Sequence, residues 1–122
     1  MINMAIMLEK SDNLKADDEE VGQIKEMYLK TYQQGREVFI AVCDCDILGK
    51  SFREGHLHVE VSPDFFGGSL ASVSDVEGAL ASATMANFVG CKTVEHAIRL
   101  GYVERDNVLS IDGVLYAQMV RM

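Results

Sequence analysis

Thiolates and imidazoles are the side chains zinc prefers and the ones that serve as nucleophile and base, and one stretch gathers both. CDCDILGKSFREGHLHVEV carries Cys43 and Cys45, then His56 and His58. If the stretch folds as strands, alternation sets Cys43 beside Cys45 and His56 beside His58, and the four meet only where the strands pair in register. The spacing weighs against that arrangement. Zinc knuckles separate their cysteines by two or more residues, so that a tight turn aims both sulfurs at one ion. Cys43 also ends the apolar run EVFIAV, where a free cysteine packs as a small apolar side chain. Cys91 and His96 lie five apart in a segment of helical pattern, so they point in different directions and form no nucleophile–base pair by themselves. Ser-His-Asp, Walker and dinucleotide-binding patterns do not occur, so neither a catalytic residue nor a cofactor is read from the chain. The amides of Gly67 and Gly68 in FFGGS could cradle an anion, but a turn is the simpler use of paired glycines.

The scaffold that must position these groups is one domain. A chain of 122 residues can bury a core without disulfides or a structural metal, so a metal is permitted and not required. No apolar run approaches the ~20 residues of a membrane-spanning helix, and the opening MINMAIMLEK lacks the basic start and cleavage site of a signal peptide. Three cysteines are an odd number, which favours reduced thiols and a cytoplasmic setting. Charge is uneven along the chain. Residues 1–22 hold six acids and two bases, which is half of the net charge of −8, and are expected to form an acidic mobile tail ahead of a domain over 23–122. The remainder still has thirteen acids against nine bases, which argues against a strong nonspecific hold on phosphate backbones.

Within the domain, IKEMYLKTY and EVFIAVC flank Gly35 and predict a hairpin; the second strand is apolar on both faces, as a covered central strand is. HLHVEVS alternates, with Leu57, Val59 and Val61 on one side and the histidines on the other. SVSDVEGALASATMANFVG predicts a helix capped by Ser74 and Glu77 and ended by Gly90, and a second helix runs from about Lys92 to Leu100. Asp112 and Gly113 predict a closing hairpin. The expected fold is therefore α+β, in the order β-β-β-α-α-β-β, a largely antiparallel sheet covered by an αα-hairpin. The helix pair also resembles a helix-turn-helix that would present Lys92, Thr93, His96 and Arg99, although Glu95 shares that surface.

Val42-Cys43-Asp44, Leu48-Gly49-Lys50, Phe52, Glu54-Gly55, Gly67-Gly68, Ala86-Asn87 with Val89-Gly90, and Ala117-Gln118 form a combination that resembles the small archaeal family called domain of unknown function 424. The resemblance spans about residues 26–122 and implies an archaeal, cytosolic protein of compact α+β fold, with no activity to carry over. It also suggests association with RNA or the translation machinery. The family pattern has a cysteine matching Cys43, whereas Cys45, His56 and His58 are particular to this chain. Where the pattern's closing strand reads Pro-His-Ala-Gln, this chain has Leu115-Tyr116-Ala117-Gln118. A shared ligand site would draw on Asp44, Lys50, Arg53, Glu54, Asn87 and Gln118. Each also has a structural use: Asp44 and Glu54 as turn caps, Asn87 as a helix end, Gln118 as a partner for backbone groups. The expectation is a non-enzymatic binding module, with RNA binding marked by a cluster of Lys50, Arg53 and Arg121. The alternatives are a small enzyme with a pocket around Asp44, Lys50, Glu54 and Asn87, and a Cys/His metal sensor. Exposed sheet edges make a homodimer feasible.

Overall fold

The computed structural model describes residues 23–121; the expected tail over residues 1–22 lies outside them. In chain order the strands are β1 (Met27–Gln34), β2 (Glu37–Asp44), β3 (Ser51–Glu54), β4 (Leu57–Glu60), β5 (Ser69–Ala71), β6 (Met85–Val89), β7 (Leu109–Ile111) and β8 (Val114–Val120). The helices are α1 (Pro63–Phe66), α2 (Val73–Leu80) and α3 (Cys91–Arg99). Six strands form one sheet in the order β5-β1-β2-β6-β8-β7, and β3 and β4 make a separate hairpin. Every neighbouring pair in the large sheet is antiparallel except β2 with β6. The α+β class and the largely antiparallel sheet are as the sequence led us to expect.

Alternation along β2 decides what packs where. Ile40 and Val42 face α2 and α3, in a core with Val76, Leu80, Ala86, Phe88, Val94 and Ala97. Ala41 and Cys43 face the other way, in a smaller core with Val61, Phe66 and Val89 under the β3–β4 hairpin and α1. The two hairpins at the ends of the domain turn where expected. Gly35 adopts φ 62° between β1 and β2, and Asp112 (53°) and Gly113 (83°) take the paired positive φ angles of a two-residue turn between β7 and β8.

The helical region departs from expectation in where its helices begin and end. The two helices cover the sheet, but they are not a hairpin, because Met85–Val89 is a central strand and not the end of the first helix. The helix is stopped by a tertiary contact: the Thr84 N–H donates to the Val38 carbonyl at 2.7 Å, and its hydroxyl bonds the same carbonyl and the Val38 N–H at 3.0 Å each. These bonds pull the chain off the helix and onto the start of β2, and β6 then runs beside it. The cap also sits two residues earlier than Ser74 and Glu77. Ser72 accepts from the Asp75 N–H at 3.2 Å while Asp75 accepts from the Ser72 N–H at 3.0 Å. With Ala86 in a strand, the first helix of the helix-turn-helix reading does not exist.

Gly90 precedes α3 instead of ending a helix, and it is held by Asp44 at the end of β2. The Asp44 carboxylate accepts from the Lys92 N–H at 3.1 Å, the Thr93 N–H at 2.8 Å and the Thr93 hydroxyl at 2.7 Å. Gly90 takes φ 114°, and a Cβ there would overlap the Asp44 carboxylate. Replacing Gly90 by Ala should therefore lower unfolding stability by about 2 kcal/mol or more, from combined backbone strain and displacement of the cap. Urea denaturation of the Gly90→Ala chain checks this; an unchanged midpoint would contradict it.

Candidate functional site

Registers across the sheet bring two rows of side chains to the face opposite α2 and α3. Tyr32, Phe39, Met85 and Val120 lie side by side on β1, β2, β6 and β8, and Lys30, Ala41, Asn87 and Gln118 form the next row. A third row, Tyr28, Cys43, Val89 and Tyr116, packs with residues of the β3–β4 hairpin and α1. The hairpin leaves the first row uncovered. A cleft of about 660 Å³ opens there and reaches the end of β1, lined by Thr31, Tyr32, Gln33, Gln34, Phe39, Phe65, Met85 and Asn87.

Phe65 is placed by a four-residue helix whose start is written in the sequence: Ser62 accepts from the Asp64 N–H at 3.2 Å, and Pro63 occupies the first turn, where its missing N–H costs nothing. Phe66 turns inward as the anchor, and its ring meets that of Phe65 edge to face at 5.0 Å. The strand face holds the outer end. The Tyr32 hydroxyl donates to the Phe65 carbonyl at 2.7 Å and the Lys30 ammonium to the Asp64 carbonyl at 2.6 Å, while the Tyr32 and Phe65 rings stack at 5.3 Å. On the opposite wall the Asn87 Oδ1 accepts from the Tyr116 hydroxyl at 3.1 Å, which leaves the amide NH₂ as the group available to a ligand. The cleft lining carries aromatic rings, a thioether, the Thr31 and Tyr32 hydroxyls and amides, and no carboxylate, imidazole or thiol; the Lys30 ammonium stands beside it over the Tyr32 ring at 5.4 Å.

The residues singled out from sequence are distributed differently. Asn87 lines the cleft, and Gln118 pairs beside it on β8, its Nε2 3.9 Å from the Met85 sulfur. Asn87 sits in mid-strand and does not end a helix. Asp44 is buried under the start of α3 with its oxygens occupied. Glu54 accepts from the Asp112 N–H at 2.6 Å and so ties the β3–β4 hairpin to the β7–β8 turn. Lys50 and Arg53 are exposed around β3, where Arg53 pairs across from His58. The pocket expected around Asp44, Lys50, Glu54 and Asn87 is therefore not assembled: of the four, only Asn87 reaches the cleft. Arg121 lies apart from Lys50 and Arg53, donating to the Leu80 and Ala81 carbonyls at the end of α2 at 3.2 Å each. The three bases do not form one cluster.

The thiols and imidazoles also occupy separate surroundings. Cys43 is fully buried in β2, Cys45 sits in a short 3-10 turn that follows it, His56 occupies the β3–β4 turn and His58 lies on β4. Among the described residues no three His, Cys, Asp or Glu side chains are grouped to hold a metal ion. Burial, followed by the charge of Asp44, pushes the Cys43 thiol from its ordinary 9.0 up to about 12. A shallower groove of about 360 Å³ runs past Cys91, Lys92, His96 and Arg99. Its groups are mutually engaged: Lys92 pairs with Glu26 at 3.4 Å, the Arg99 guanidinium meets His96 Nδ1 at 3.3 Å, and the Cys91 thiol is directed at the Gly113 carbonyl. Burial, then Arg99, lowers the His96 pKa. Gly67 and Gly68 make the turn out of α1, with the Gly68 N–H donating to the Phe66 carbonyl.

Sequence reasoning passed over Tyr32, Phe39 and Met85, because an aromatic or methionine in a strand reads as core, and over Phe65, because FFGGS reads as a turn. Fold and cleft together define a small α+β protein whose sheet is packed by two helices on one face and only in part by a hairpin and a short helix on the other. The chain belongs to the family described as "Protein of unknown function (DUF424)", whose model matches residues 32–122. In structure it is similar to an uncharacterized conserved protein from Methanopyrus kandleri, with a TM-score of 0.66 and 20% identity over 79% of this chain and 93% of that one. That likeness speaks for the fold. No match was found among curated proteins. No helix among the described residues is long and apolar enough to cross a membrane.

Thiol reactivity follows from these surroundings. A disulfide-exchange reagent should label Cys91 first in the native protein, Cys45 more slowly, and Cys43 only after unfolding. Cys43 keeps its proton in the fold above pH 9, where the unfolded thiol loses it, so its contribution to stability is present below pH 9 and falls as pH rises toward 12. Denaturation of the native chain and of Cys43→Ala between pH 8 and 11 checks the sign: the variant should show the shallower loss.

Proposed function

We propose that this protein is a non-enzymatic binding module whose cleft takes up an uncharged planar or apolar group of a partner. One observation carries the reading: a cleft of about 660 Å³ whose lining combines the stacked Tyr32 and Phe65 rings with hydroxyls and amides, among them the Asn87 NH₂ left free by Tyr116, and holds no carboxylate, imidazole or thiol. Its volume lies in the range of small-molecule and side-chain pockets, and its polar groups suffice to orient a ligand without drawing in an ion.

An RNA partner is less well supported, since the dispersal of Lys50, Arg53 and Arg121 leaves phosphates no shared surface. Base stacking on Tyr32 and Phe65 is what would favour it. An archaeal, cytosolic setting belongs to the same proposal and is supported by the resemblance and by the organism of the structural neighbour.

Capture from native archaeal lysate on the tagged chain, with proteins and RNA both identified, followed by titration of the captured partner, tests the proposal. Phe65 is 40% exposed, so Phe65→Ala removes a wall of the cleft at little cost to the core. It should weaken binding about tenfold, or about 1.4 kcal/mol. Equal affinity of both chains would place the binding surface elsewhere. A steep salt dependence would restore RNA as the partner class.

A further inference from the structure

We infer that the cleft holds a neutral adenine-type base, as an uncharged nucleoside presents it, with Asn87 and Gln118 reading the base edge. The inference rests on the cleft being a binding surface and names its ligand class. Two amides stand side by side across β6 and β8, where Asn87 and Gln118 are register partners on the face that carries the cleft. Each has one half occupied, and the halves are opposite. The Asn87 Oδ1 accepts from the Tyr116 hydroxyl at 3.1 Å, which leaves its NH₂ as a donor. The Gln118 Nε2 is instead directed at the sulfur of Met85, a residue of the cleft lining, at 3.9 Å, and its Oε1 is left as an acceptor. Cross-strand neighbours have Cβ atoms about 5 Å apart, so this donor and this acceptor stand within reach of one ligand edge.

An adenine edge carries the complement in one plane: a ring nitrogen that accepts, beside an exocyclic amine that donates. A single asparagine or glutamine reads that pair with both halves of its amide. Here neither amide has both halves to give, and the two together replace one. A trans peptide unit offers the same two groups pointing in opposite directions from its plane, so it meets one amide at a time. The face of a purine also suits the rest of the lining, where Tyr32, Phe39, Phe65 and Met85 offer aromatic and thioether surface. Phosphate does not suit it. The Lys30 ammonium over the Tyr32 ring already donates to the Asp64 carbonyl, and the chain carries a net charge of −8, so a nucleoside fits where a nucleotide is opposed.

Calorimetric titration of the full chain with adenosine and with purine riboside, which lacks the exocyclic amine, tests the pairing. The native chain should favour adenosine about fivefold. Gln118 is exposed, so Gln118→Met leaves both cores intact; it should abolish that preference while purine riboside binds as before. Equal affinity of the native chain for the two ligands overturns the inference, as does a preference that survives Gln118→Met. A six-residue oligoadenylate separates the sources of the base: binding at least tenfold tighter than that of adenosine, and falling with salt, overturns the free nucleoside and assigns RNA. Tighter binding of N-acetyl-leucine methylamide, a neutral peptide unit, overturns the base in favour of a peptide. Nile red, a neutral planar probe, reads the cleft by itself. If it binds the native chain at least fivefold more tightly than Phe65→Ala while neither nucleoside binds, the base is overturned and the cleft is kept; if none of these probes binds, both readings fall.

Discussion

The buried carboxylate of Asp44 is the contact on which the two halves of the domain depend. A charge removed from water costs several kcal/mol unless its lone pairs are filled, and here three donors fill them. Two of those donors are N–H groups of the first turn of α3, which would otherwise lack partners, so one residue at the end of β2 satisfies the helix start and is satisfied by it. Gly90 makes the approach possible by having no side chain, and its own N–H donates to the Leu115 carbonyl at 2.8 Å, joining β8 to the same point. Strands β2, β6 and β8 and helix α3 therefore share one anchor. With α3 fixed there, Val94 and Ala97 face the sheet and complete the larger core.

Covering the two faces with unequal elements has a consequence for function. On one side α2 and α3 pack over the middle of the sheet. On the other, a hairpin of two four-residue strands and a four-residue helix reach only part of the way: Phe65 meets Tyr32, and the row from Phe39 to Val120 extends beyond them. Glu54 fixes how far the hairpin extends, because its bond to the Asp112 N–H holds the hairpin toward the β7 side. The opening is thus set by element length and by one tether.

Much of the fold was legible from residue patterns, for reasons that also explain the misses. The two apolar faces of β2 and the Asp112-Gly113 turn depend on local chemistry, and they appear where the sequence places them. MANFV was misread because an apolar run of that length suits a buried strand and a buried helix equally, and the preceding Ala-rich segment favours the helix. Thr84 decided between them through bonds to Val38, a residue 46 positions away, which no local window contains. The candidate site was less legible still. Asn87 could be picked out as a polar residue among apolar neighbours, but Asp44 and Glu54 show the same pattern and are spent on backbone groups. Phe39 and Met85 are ordinary strand residues until the register sets them side by side, half-buried, in the lining of the cleft. Phe65 was the nearest to a readable signal, since a four-residue helix beginning Ser-Pro cannot bury two successive aromatic rings on one side.

A cleft with this lining selects by what it leaves unpaired. Its rings reward any planar or apolar group by removing surface from water, which gives affinity with little discrimination. Asn87 supplies the discrimination. With its oxygen taken by Tyr116, its NH₂ is a donor that loses water when the cleft fills, and a ligand offering no acceptor there forfeits roughly 1–3 kcal/mol. A carboxylate would satisfy that donor, but the nearby cation, Lys30 over the Tyr32 ring, already donates to the Asp64 carbonyl, and the chain carries a net charge of −8; a neutral carbonyl meets the same need without that penalty. Apolar contact combined with one neutral acceptor describes an extended peptide as well as it describes a base.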